Sequence, residues 1–140
     1  MAFFPYLNFD GTCREAFTWY HEIFGGDVQI MGAGDIPGDG ADESFADRII
    51  HAALMLPDGG LLMASDTPVG QHPTPQGLYV NATFATVEET EKAWAALSDG
   101  ATSVEMELAP AFFTPAFGVC TDKFGTPWML TAADPDANYD

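Results

Sequence analysis

Residues 5–26, PYLNFDGTCREAFTWYHEIFGG, and residues 78–100, LYVNATFATVEETEKAWAALSDG, follow one pattern. Each opens on Tyr-x-Asn, passes a Thr-x-x-Glu step and runs into an amphipathic stretch that ends on glycine. In the first, Cys13, Ala16, Phe17, Tyr20, Ile23 and Phe24 recur at the spacing of one helical face. Thr12 with Glu15 has the form of a capping box, and Gly25-Gly26 stops the run, which predicts a helix over 12–25. In the second, Val87, Thr90, Trp94 and Leu97 share a face between Thr86 and Gly100, with Thr86 and Glu89 as the box. Tyr6-Leu7-Asn8 aligns with Tyr79-Val80-Asn81, and Trp19 and Gly25 with Trp94 and Gly100, at offsets of 73 to 75 residues. A period of that kind means two copies of one structural unit.

Strands account for the rest. Phe3–Phe9, Val28–Met31, Ile49–Leu56 and Leu61–Ser65 are short apolar or alternating runs bounded by Gly, Pro and Asp, and so are Leu78–Phe84, Val104–Leu108, Phe117–Thr121 and Trp128–Thr131. The order is strand, helix, three strands, twice: an α+β chain of two βαβββ modules, about 3–66 and 78–132, within one domain spanning 1–140. Hairpin turns fall at Pro57-Asp58-Gly59-Gly60 and Asp122-Lys123-Phe124-Gly125, where the offset drops to 65. The difference lies in Gly32 to Asp47, GAGDIPGDGADESFAD, which reads as a mobile acidic loop inserted in the first module only.

Composition narrows the function. At 47% hydrophobic residues, with 11 Phe, 3 Trp and 4 Tyr, the chain has ample material for a core. Four Lys and Arg against 21 Asp and Glu give a net charge of −17, which repels phosphate backbones and anionic membranes alike, so neither nucleic acid nor membrane is an expected partner. The apolar run Ile49–Leu56 is far too short to span a bilayer. The opening MAFFPYLNFD has no basic segment before an apolar run, and two cysteines make no disulfide framework, so a cytoplasmic setting is expected.

Strand alternation points to a site. In Leu78–Phe84 the even positions are apolar, whereas Tyr79, Asn81 and Thr83 carry polar groups, and Tyr6 and Asn8 repeat this. The apolar side is expected against a helix and the polar side away from it. If the two halves curve round one another, Tyr6, Asn8, Tyr79 and Asn81 converge on a concavity with His51, Met55, Met63 and Met129, a ligand pocket of aromatic, thioether and amide groups. In a catalytic version His51 is the candidate general base, with Tyr79 and Asn81 donating hydrogen bonds to a ligand oxygen. As a lone histidine among Ile49, Ile50, Ala52 and Leu54, His51 equally suits a hydrogen-bonded core position.

Other features read as inert. His21, beside Tyr20 and Glu22, and His72, in VGQHPTPQG, are expected in solvent, and Cys120 has no neighbouring base to make it a nucleophile. Gly32-Ala33-Gly34 lacks the third glycine of a dinucleotide loop, Pro37 standing in its place. Asp35, Asp39, Asp42 and Glu43 do not have the spacing of a calcium loop.

PYLNFDGTCREAFTWYHEIFGG, HAALML followed by LLMASD, and above all TDKFGTPWML within FGVCTDKFGTPWML resemble the PhnB-like branch of the vicinal oxygen chelate (glyoxalase and bleomycin-resistance) superfamily, from Pro5 to about Ala132. The resemblance implies paired βαβββ modules in a cupped eight-stranded mixed sheet with helices outside, in a homodimer. It also implies the 3-demethylubiquinone methyltransferase label common in this branch, although no βαβ succession or glycine fingerprint for S-adenosylmethionine is present. Metal-dependent relatives place His or Glu ligands on the first and last strands of each module; here Phe4 or Tyr6, Met63, Tyr79 and Met129 stand at those places. None is a ligand for Zn²⁺, Ni²⁺ or Mn²⁺, and the nearby acids Asp58 and Asp66 are expected in exposed turns, so no metal and no other cofactor is expected. The combined expectation is a metal-free small-molecule binding or modifying protein, with ligand sequestration and methyl transfer as alternatives. Surplus Phe3, Phe4, Phe112, Phe113 and Phe117 favour a homodimer.

Overall fold

The computed structural model describes residues 1–35, 47–134 and 136. The chain divides into two compact units, Met1–Thr74 and Pro75–Asp140. The first contains β1 (Tyr6–Phe9), α1 (Cys13–Phe24), β2 (Asp27–Gly32), β3 (Ile49–Met55) and β4 (Leu61–Asp66), and the second β5 (Val80–Phe84), α2 (Val87–Leu97), β6 (Ser103–Ala111), β7 (Thr114–Thr121) and β8 (Pro127–Ala132). Each is a βαβββ module. Its first strand pairs in parallel with its last, and the remaining pairs are antiparallel, in the orders β1-β4-β3-β2 and β5-β8-β7-β6. The expected eight strands are thus hydrogen-bonded as two four-stranded mixed sheets. Most of the expected acidic insertion lies outside the described residues; Gly32 ends β2, and Ala33–Asp35 form a short 3-10 turn.

One face of each sheet carries the helix. In the first unit Leu7 and Phe9, Ala52 and Leu54, and Leu62 and Ala64 share the α1 side, where the Phe9 ring meets Phe17 edge-on at 6.3 Å. Ala16, Ala52 and Ala64 are fully buried, and their small side chains let the helix approach the sheet closely. In the second unit Trp128, Leu130, Cys120 and Gly118 face α2. Gly118 is glycine for a steric reason: a Cβ there would stand 2.7 Å from Cζ3 of Trp94.

The two helix starts differ. Thr86 caps α2 as expected, its hydroxyl accepting the Glu89 N–H at 3.1 Å. Thr12 makes no side-chain cap. Its place is taken by Asp66 of β4, whose Oδ1 accepts the N–H groups of Gly11 at 2.9 Å and Cys13 at 3.0 Å while Oδ2 accepts that of Ile49 at 2.8 Å. Asp66 is therefore not in an exposed turn: it is 2% exposed, because alternation with Leu62 and Ala64 turns it toward α1, whose positive end suits a carboxylate. Asp58 is exposed in its turn, as expected.

Hydrogen bonds also correct the register of the repeat. Thr67 N–H bonds to Phe9 O and Ala133 N–H to Phe84 O, which makes Phe9 and Phe84 equivalent at an offset of 75. Tyr6, paired with Met63, then corresponds to Asn81, paired with Met129, rather than to Tyr79. Leu56 N–H to Gly60 O matches Asp122 N–H to Thr126 O, so the hairpins align at 66, not 65. Trp19 is half-buried whereas Trp94 is buried, and the fully buried Tyr20 takes the packing role that Trp94 has in α2. Strand ends shift too. β1 begins at Tyr6 and β5 at Val80, later than expected, while β6 and β7 extend to Ala111 and back to Thr114 through irregular pairing that accommodates Pro110 on the edge strand.

Candidate ligand-binding faces

The sheet face away from α1 is where the sequence placed its site. Tyr6, Asn8, His51, Met55 and Met63 all lie there, because Tyr6 pairs with Met63, Met63 with Ala53, and His51 and Met55 have the parity of Ala53 on β3. Tyr6 is 47% exposed and Asn8 exposed, while His51, Met55 and Met63 are half-buried. Tyr6 Oη stands 3.5 Å from His51 Nδ1, at the outer limit of a hydrogen bond, and the two rings lie 6.1 Å apart at 33°. The geometry has a chemical consequence. With the imidazole proton on Nδ1, Tyr6 Oη accepts it and Nε2 keeps the lone pair that a general base needs; with the proton on Nε2, Tyr6 donates instead.

The corresponding face of the second unit holds Asn81 and Met129, side by side in register, with Val119 and Met106 completing the row. Asn81 is fixed on both ends of its amide. Its Nδ2 donates to Thr83 Oγ1 at 3.2 Å, and its Oδ1 accepts from Thr131 Oγ1 at 3.0 Å. One N–H and one lone pair remain for a ligand. Tyr79 does not belong to this sheet: it precedes β5 and is 47% exposed. Met31, Met106 and Thr131 share the helix-free faces outside the expected set, and alternation in residues 28–31 carries the signal for Met31.

The remaining reactive groups are held quiet. Cys13 and Cys120 are free thiols buried on the helix sides, and burial, reinforced by the charges of Asp66 and Asp122 respectively, pushes them up to about 12 and about 11. His21 and His72 are half-buried rather than solvated, each with a buried Nδ1 lacking a hydrogen-bond partner.

The metal positions that the resemblance implies, mapped by the corrected register, fall on Tyr6 and Met63 in one unit and Asn81 and Met129 in the other. A phenol, an amide and two thioethers do not fit Zn²⁺, Ni²⁺ or Mn²⁺, which take imidazole and carboxylate in such sites. Among the described residues no three His, Cys, Asp or Glu side chains lie together as a metal-holding group.

Comparison with known proteins agrees with this architecture. Protein YjdN of Escherichia coli K12 is 28% identical over 140 residues, covering 93% of this chain and 94% of its own. The crystal structure of PA1353 from Pseudomonas aeruginosa superposes with a TM-score of 0.82 at 36% identity, over 94% of this chain and 97% of that one. The PhnB protein of Bacillus cereus, provisionally described as a 3-demethylubiquinone-9 3-methyltransferase, gives 0.72 at 26% identity, over 95% of this chain and all of its own (100%). The profile of the Glyoxalase/Bleomycin resistance protein/Dioxygenase superfamily matches residues 5–130, and with its two βαβββ modules and PhnB-like relatives the chain belongs to that superfamily.

Proposed function

We propose that the helix-free sheet faces bind a small, largely apolar organic molecule bearing an oxygen, and that they do so without a divalent metal. The Tyr6–His51 pair, set among thioethers on the sheet face away from α1, carries this reading. Met55 and Met63 supply adaptable apolar contact and Tyr6 an aromatic surface on the first unit's face, and Met129 supplies apolar contact on the second's. On the second unit's face the amide of Asn81, held by two threonines, orients the ligand oxygen, and on the first unit's face Asn8 offers an amide for the same purpose. Where a reaction follows, His51 Nε2 removes a proton from the ligand and Tyr6 Oη steadies the imidazole through Nδ1. A metal-bound enediolate has no place in this scheme, because the donors at the corresponding positions do not suit the metal.

Purified protein offered candidate ligands distinguishes the outcomes. Product formation that survives a chelator supports metal-free catalysis, and stoichiometric retention without product supports sequestration. Saturable S-adenosylmethionine binding supports the methyl-transfer description given to the Bacillus cereus relative. Near-stoichiometric Zn²⁺, Ni²⁺ or Mn²⁺ in untagged protein, with activity lost on chelation, overturns the metal-free reading.

The proposal extends to a homodimer in the cytoplasm. Phe3 and Phe112 are 92% and 102% exposed, with Phe4 and Phe113 beside them, and self-association would cover these rings. Both cysteines are free thiols, as suits a reducing compartment. No helix among the described residues is long and apolar enough to cross a membrane. A monodisperse 15.0 kDa particle in light scattering at micromolar concentration would refute the dimer.

A further inference from the structure

The methionines are distributed unusually. Methionine ordinarily fills gaps in a core, yet the buried core here contains none. Met31, Met55, Met63, Met106 and Met129 all lie on helix-free faces. Two of them flank the imidazole. Met31 on β2 is the direct cross-strand partner of His51, and Met63 on β4 pairs with Ala53, two residues along β3, which makes it a diagonal neighbour. Direct partners stand about 4.5–5.5 Å apart and diagonal ones about 7–8 Å, gaps that two methionines and a histidine reach across. Tyr6 lies against Nδ1 of the same ring, so Nε2 is the nitrogen left to bind.

We propose that Met31 Sδ, Met63 Sδ and His51 Nε2 form a site for a soft monovalent cation, Cu(I) in a cell and Ag(I) as its laboratory equivalent. Neutral thioether and imidazole donors favour such an ion over hard or borderline divalent ones, which keeps the site consistent with the absence of a Zn²⁺-type donor set. The −17 charge of the chain raises the local concentration of cations. The two thiols are fully buried on the helix sides, away from this face. His51 Nε2 and Met63 also belong to the proposed ligand face, so the ion and an organic ligand exclude one another there, but the ion needs no organic ligand to bind and is tested without one.

The test titrates oxygen-free protein with Ag(I), read by calorimetry and native mass spectrometry, and with Cu(I) in competition with bicinchoninate. One ion per chain is expected. Met31→Leu and Met63→Leu preserve side-chain volume, and each should weaken binding by at least about tenfold, the lower end of what even outer-shell ligand partners cost. Circular dichroism establishes that the variants are folded, and Met31, 46% exposed, is the substitution that disturbs the structure least. Absence of saturable binding overturns the site. So does an unchanged affinity in the folded Met31→Leu variant, or Zn²⁺ binding as tight as Ag(I).

Discussion

Asp66→Asn is the substitution whose cost the structure defines most closely. The carboxylate is 2% exposed and accepts three backbone N–H groups, two from the start of α1 and one from the start of β3. An asparagine oxygen can still serve Gly11 and Cys13, but its amide nitrogen then faces the Ile49 N–H, donor against donor. A buried donor left unsatisfied costs about 1–3 kcal/mol, and two charged hydrogen bonds become neutral ones, each weaker by about 1 kcal/mol. Relief of the desolvated charge offsets part of this, leaving a net loss of about 3 kcal/mol. For a chain of this size that corresponds to a fall in Tm of about 10 °C. Urea unfolding followed by tryptophan fluorescence and far-UV circular dichroism reads the loss. Thr12→Ala and Asp58→Asn are the controls and should change stability by no more than about 0.5 kcal/mol, since the Thr12 hydroxyl makes no cap and Asp58 is exposed. If Asp66→Asn matches these controls, or Thr12→Ala costs as much, then Asp66 is not the cap of α1.

Gly118→Ala should destabilise by about 1–3 kcal/mol, because the new methyl meets the Trp94 ring rather than open space, whereas Gly34→Ala, with nothing nearby, should be close to neutral in the same unfolding assay. Thr86→Ala should cost about 1 kcal/mol through loss of the α2 cap, again read by urea unfolding. The thiols predict a pH dependence. Cys13 and Cys120 rise in the folded chain from 9.0 to about 12 and about 11, so the folded state holds protons that the unfolded state releases. Their contribution is complete below pH 9.0 and is lost progressively as pH rises from there toward the folded values; urea midpoints should fall across that window, less steeply in Cys13→Ala.

Helix positions and strand faces were legible because both follow from short periods in the sequence. Register was less so. The repeated Tyr-x-Asn suggests that Tyr6 matches Tyr79, but main-chain hydrogen bonds match it to Asn81. The slip is two residues, and an even slip keeps every side chain on its face, so Tyr6, Asn8, Asn81 and Met129 lie on the side of the sheet that alternation predicts. Asp66 illustrates a conflict between two local rules. An acid beside a loop suggests exposure, whereas alternation with Leu62 and Ala64 demands burial, and three N–H groups remote in sequence decide in favour of burial. Thr12 shows the converse, a capping motif displaced by a distant carboxylate. The approach of Tyr6 to His51 joins strands 45 residues apart and had no local signature.

Each helix-free face is proposed to bind a small organic molecule, that of the first unit through His51 and that of the second through Asn81. Native mass spectrometry of protein purified without denaturation or a metal-affinity tag, compared with His51→Ala and Asn81→Ala, tests it most directly. The expected result is a bound organic mass on the wild-type chain that is reduced in His51→Ala and reduced in Asn81→Ala while each variant keeps its fold and Tm. A molecule retained equally by both folded variants would contradict it, as would variants that lose Tm heavily yet bind unchanged per folded molecule.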